Sequence, residues 1–134
     1  MKDGKTLAIN IFDLSGDDDY KLIRKDYINN AIGVLFVFDV NIKSTFENIS
    51  KWEKEAESNG INLSKCVVLL IGNKTDIKNR REVQQNQAKD FAKNRGYQYF
   101  ETSAKSGVGI VDTFQYLFDN MYVKAVEIRS RYLY

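Results

Sequence analysis

Two nearly unbroken apolar runs, AIGVLFVFDV at 31–40 and CVVLLIG at 66–72, constrain this chain more than any other feature of it. Both are short, rich in branched and aromatic residues and free of polar alternation, the pattern of strands covered on both faces. Strands of that kind lie in a parallel sheet with helices above and below, and the connection between two of them must be long enough to cross back. Between the runs, Phe46, Ile49, Trp52 and Ala56 recur at helical spacing until Gly60. Ser44 followed by Glu47 has the form of a capping box, so the crossover is expected to be a helix capped at Ser44.

The alternation continues along the chain. Residues 83–95 turn Val83, Ala88, Phe91 and Ala92 to one side and stop at Gly96, YQYFETS at 97–103 reads as a strand, and Ile110, Phe114, Leu117, Met121, Ala125 and Ile128 mark a last helix over about 109–130. Towards the N-terminus, TLAINIFD at 6–13 has the period-two pattern of a strand, and the charged stretch 17–30 is expected to be helical or mobile. The expected fold is α/β, a single domain over 1–134 with an open, mostly parallel sheet and helices on both faces.

In such sheets ligands bind beyond the carboxyl ends of the strands. Polar clusters follow the apolar runs there: Asp13 to Gly16, Asn73-Lys74-Thr75-Asp76, and Thr102-Ser103-Ala104-Lys105. Composition narrows their chemistry. The chain has no histidine and a single cysteine, Cys66, which excludes a Ser/His triad, an internal disulfide and a cysteine-based metal cluster, and fits a reducing, cytoplasmic setting. A formal charge of +2 gives no nucleic-acid footprint. The apolar runs are too short to span a bilayer, and residues 1–10 do not read as a secretory signal.

In this order and at these distances, DLSG, GNKTD and ETSAK resemble the small Ras-like GTPases, specifically the Rab-like branch and within it the Rbj group. Alone, NKTD reads better as a polar turn and SAK as a helix cap; both at strand ends in this order indicate guanine-site ancestry. The resemblance implies a P-loop GTPase-like fold and GTP or GDP with magnesium as ligands. It implies that Asp76 accepts hydrogen bonds from the two edge N–H groups of guanine, where adenine presents a lone pair, a contrast worth roughly four to five orders of magnitude in a buried site. Asn73 is then expected to brace the loop, Lys74 to lay its stem over the base, the Ala104 N–H to donate to the guanine carbonyl, and Lys105 to cover the other face, with Ser103 in the same loop.

At the phosphate end the resemblance matches Asp13 to the carboxylate that holds magnesium through water, and Gly16 to the residue whose backbone N–H senses the terminal phosphate. An Asp at a strand end is otherwise commonly a helix cap. Asp17 departs from the family: it stands where most members carry a water-orienting glutamine. A carboxylate there repels the phosphate, so hydrolysis is expected to be weak or absent and no catalytic residue is assigned.

The phosphate-cradling pattern Gly-x-x-x-x-Gly-Lys-Ser/Thr occurs nowhere in the 134 residues, and the echo DGKT is taken as accidental. Relative to the family the chain is therefore expected to be N-terminally incomplete, without first strand, phosphate loop, effector loop and second strand, and to bind nucleotide weakly or not at all. The strand without counterpart would lie between the one ending at Asp13 and the one at 31–40. Either Leu7–Phe12 is displaced to close the sheet, or a second copy supplies a strand and makes a homodimer by exchange. Protein effectors or regulators are the expected partners, nucleic acid is not, and the tail KAVEIRSRYLY shows no cysteine for a lipid anchor, so membranes would be reached peripherally through partners. Tyr116, Phe118, Tyr122, Tyr132 and Tyr134 read as helix packing before they read as a partner-binding stripe. Two alternatives stay open: a nucleotide-independent interaction module, and a sequence begun at a mistaken start whose true product carries the phosphate loop upstream.

Overall fold

The two apolar runs are neighbouring strands. The structure, a computed structural model, describes residues 8–28 and 30–131. In it β1 (Gly33–Asp39) and β2 (Val67–Asn73) pair in parallel, Gly33 opposite Val67 and Asp39 opposite Asn73. Strand β3 (Gln98–Glu101) adds in parallel on the other side of β2, with Gly72 opposite Glu101. The order β1-β2-β3 places β2 in the middle of the sheet. That explains its unbroken apolar run: Val68 and Leu70 face one layer of helices while Leu69 and Ile71 face the other.

Helix α1 (Lys21–Ile28) precedes β1, α2 (Lys43–Glu47) and α3 (Ile49–Ser58) make the first crossover, α4 (Gln85–Asn94) makes the second, and α5 (Ile110–Arg131) follows β3. One core joins Phe36, Phe38, Val68 and Leu70 to Phe46, Ile49 and Ala56 of the first crossover and Ala88 and Ala92 of α4. The opposite core sets Leu69 and Ile71 against Leu117, with Phe114, Phe118 and Met121 packed around them. The expected inward stripe of α5 holds to Met121; beyond it Ile128 is exposed, because the helix outruns the sheet. Tyr116 packs on Phe100 at 5.4 Å between ring centroids and Phe118 joins the core, as helix packing requires, while Tyr132 and Tyr134 lie outside the described residues. Helix α4 ends as expected at Gly96, whose φ of +71° turns the chain so that the Tyr97 N–H reaches the Ala92 carbonyl at 2.9 Å.

Two local expectations are corrected. Residues 8–16 form no strand and add nothing to the sheet; Thr6 and Leu7, the start of the expected strand, lie outside the described residues. A period-two pattern says which face a strand would bury, but a strand exists only by its ladder and its covering layer, and here Ile11 is 61 % and Phe12 56 % exposed. Closure of the sheet by Ala8–Phe12 fails with it. The capping box fails too: Ser44 lies inside α2, whose N-cap is Ile42 without a side-chain cap, and Asn48 separates α2 from α3. The Glu82 carboxylate accepts from the Lys43 N–H at 2.7 Å instead, a cap supplied from 39 positions downstream.

Candidate functional site

Parallel register brings the ends of all three strands to one side. Asp39 lies opposite Asn73, and Gly72 opposite Glu101, so the segments that leave β1, β2 and β3 emerge together. The two loops expected to share a site are bonded to each other. Asn73 Oδ1 accepts from the Thr102 hydroxyl at 3.2 Å and from the Ala104 N–H at 3.1 Å, the Ser103 hydroxyl donates to Asp76 Oδ1 at 2.6 Å, and the Thr75 N–H donates to the Thr102 carbonyl at 3.2 Å. Asn73 thus holds the 102–105 loop against its own. The Ala104 N–H, expected to donate to a base carbonyl, is engaged by this brace.

Ser103 is almost wholly buried, and its hydroxyl accepts from the Ser106 N–H while donating to Asp76. The hydrogen bond from Ser103 holds the Asp76 carboxyl below the usual carboxylate range, and the charge of Lys105 acts in the same direction. Asp76 is therefore an ionised acceptor at neutral pH, with one oxygen fixed by Ser103. Lys105 and Ala104 are exposed.

Lys74 adopts φ +66°, a left-handed conformation uncommon outside glycine. Its Nζ meets Asp39 Oδ2 at 2.9 Å, while the Asn41 side-chain amide donates both to Asp39 Oδ1 at 2.9 Å and to the Lys74 carbonyl at 3.1 Å. Burial alone would raise the Asp39 carboxyl; the Lys74 ammonium and the two hydrogen bonds from Asn41 outweigh it and hold it low. Asp39 and Asn41 were not among the residues singled out from sequence. The rule that selected the other loops, polar residues directly after an apolar run, applies equally to Asp39-Val40-Asn41.

The first cluster lies apart, against α1 and α3, and among the described residues no hydrogen bond or ion pair joins it to the other two. Asp13 and Gly16 are exposed, and a Cβ on Gly16 would lie 3.3 Å from the Trp52 indole of α3. Asp17 caps the following turn, its side chain accepting from the Asp19 N–H at 3.2 Å. Asp13 borders a groove of about 520 Å³ whose walls include Ile11, Phe12, Tyr20, Ile23 and Tyr27. All five of those side chains are exposed.

Residues 1–123 match the Ras family. The chain is 36 % identical over 120 residues to the Ras-related protein YPTC6 of Chlamydomonas reinhardtii, covering 90 % of this chain and 55 % of that protein. It is 37 % identical over 120 residues to the Ras-related protein RABA2a of Arabidopsis thaliana, covering 90 % of this chain and 54 % of that protein. The chain spans about half the length of the curated relatives it matches.

Proposed function

This chain belongs to the Ras family, and from that premise we propose that it is a Rab-like, Rbj-type guanine-nucleotide switch domain acting in intracellular signalling or vesicle traffic. Asp76 takes the base edge, Lys74 and Lys105 flank the ring, Asn73 and Ser103 hold the two loops together, and Ala104 presents its amide once a base carbonyl displaces Asn73 from it. The observation that carries this reading is the direct bonding of Asp76 to Ser103 and of Asn73 to Ala104 across the ends of adjacent parallel strands. Gly16 is the phosphate-sensing amide.

The magnesium end is thinner. Asp13 supplies one carboxylate, and among the described residues no group of three His, Cys, Asp or Glu side chains is placed to hold a metal. Magnesium in such sites takes one or two carboxylates together with water and phosphate oxygens, so Asp13 is the residue that would hold it, through water, and the ion would offset phosphate charge. Asp17 at the water-orienting position makes unaided hydrolysis slow. The exposed apolar groove at Ile11, Phe12 and Tyr27 supports protein effectors or regulators as partners, and the action is placed in the cytoplasm, with membranes reached through those partners. Among the described residues no helix is long and apolar enough to cross a membrane.

Titration with fluorescently labelled GDP and GTP at millimolar magnesium, with ATP as control, tests the reading. Weak but saturable binding that prefers guanine over adenine is expected. Asp76→Ala should weaken it at least about tenfold, since a hydrogen bond to a charged group is worth roughly 1.5–3 kcal/mol. Absence of any saturable binding would overturn the nucleotide reading and leave a nucleotide-independent interaction module. Genomic sequence ahead of Met1, read for Gly-x-x-x-x-Gly-Lys-Ser/Thr, tests whether a longer product supplies the phosphate loop.

A further inference from the structure

Arg24 is the most deeply buried charged side chain among the described residues, 3 % exposed, and the function proposed above makes no use of it. Its guanidinium faces two ways. Nε meets Glu55 Oε1 of α3 at 2.6 Å and Nη2 meets Oε2 at 3.3 Å, while Nη1 donates to the Ser15 carbonyl at 2.7 Å and to the Asp17 carbonyl. The guanidinium carbon also lies 5.3 Å from the centre of the Trp52 ring, the same indole that Gly16 approaches.

A trans peptide points its C=O and N–H in opposite directions. With the Ser15 carbonyl turned to Arg24, the Gly16 N–H is turned away from it; with the Asp17 carbonyl turned the same way, the Asp18 N–H is turned away as well. From this geometry we propose that Arg24 is a positioning residue that clamps the carbonyls on both sides of Gly16 onto Glu55 and Trp52 of α3, and so fixes the direction in which the Gly16 amide is presented. The proposal rests on the reading of Gly16 as the phosphate-facing amide. The fork is essential to it: a planar guanidinium serves a carboxylate along one side and two carbonyls from the other, which a single ammonium head cannot do. A buried ion pair of this kind is weak evidence of stability, and its use here is to select one loop conformation.

Trp52 is the chain's single tryptophan, so acrylamide quenching of its fluorescence reads loop docking without any ligand. In the full 134-residue chain, Arg24→Gln is expected to raise the quenching constant about twofold and to lower the 15N order parameter of the Gly16 amide from about 0.85 towards 0.6. The exchanged pair, Arg24→Glu with Glu55→Arg, separates positioning from a merely structural bridge. It restores opposite charges but sets a carboxylate against the Ser15 and Asp17 carbonyls, so resistance to urea should return while quenching and Gly16 mobility stay at the single-variant values. Unchanged quenching and Gly16 order in folded Arg24→Gln, or recovery of both in the exchanged pair, would overturn the proposal. If circular dichroism shows that Arg24→Gln does not fold, Arg24→Lys is read by the same two measurements with the same expected direction. Failure of labelled GDP to bind the native chain would remove the nucleotide reading alone, because these readouts use no nucleotide.

Discussion

Asp39 shows how a single carboxylate acquires a structural task that its neighbours in sequence do not announce. It ends β1, is nearly buried, and exchanges contacts with Lys74 and Asn41 at the mouth of the candidate site. Because its folded carboxyl is held below the ordinary value of about 4, its contribution to stability is complete above that pH and is lost as acid protonates the folded form. Urea-unfolding midpoints should therefore fall as pH is lowered below about 4, and Asp39→Asn should flatten that part of the profile; Asp76, also held low, acts in the same window. Gly109 makes a different demand. Its φ is +71° and a Cβ there would collide with the Glu101 carbonyl oxygen, so Gly109→Ala is expected to cost at least about 2 kcal/mol in equilibrium unfolding, more than left-handed backbone alone. The requirement is invisible in sequence, since the residue that excludes the side chain comes from the end of β3.

At the scale of elements, periodicity located the helices and buried strands but not every boundary. The run at 66–72 was legible because a central strand needs apolar side chains on both faces, and the stop at Gly96 was legible because left-handed backbone favours glycine. The cap of α2 was not. Ser44 and Glu47 have the right spacing for a local box, yet the chain enters the helix earlier and the Lys43 amide is met by Glu82, brought there by the segment after β2. Removing this acceptor by Glu82→Ala should lower unfolding stability by about 0.5–2 kcal/mol, whereas Ser44→Ala should change it by less than about 0.5 kcal/mol. Comparable losses from both substitutions would restore the local box. Residues 8–13 illustrate the reverse limit: alternation does not make a strand where, among the described residues, no ladder partner stands beside it.

For the whole molecule, β1 is an edge strand of the described three-stranded sheet. The Val67 N–H bonds to Ile32 and the Val40 N–H to Asn73, so even-numbered residues turn to β2 while Leu35 and Val37 turn their backbone groups outward, and Val37 is 53 % exposed. We propose that in the isolated chain a second copy covers this edge by strand exchange. Size-exclusion with light scattering should then give twice the chain mass of 15.5 kDa at micromolar concentration, and a stable, non-associating monomer would remove the proposal. What the amino-acid order determined by itself was the parallel α/β layering and the loops in which binding groups gather, because burial on two faces and polar residues at strand ends are written as local runs. Only tertiary structure decided which groups meet: Ser103 on Asp76, Asn73 on Ala104, Lys74 on Asp39 and Arg24 on Glu55 each join residues far apart in the chain. Such pairings depend on register and on the crossing of helices over the sheet, neither of which any short stretch of sequence encodes.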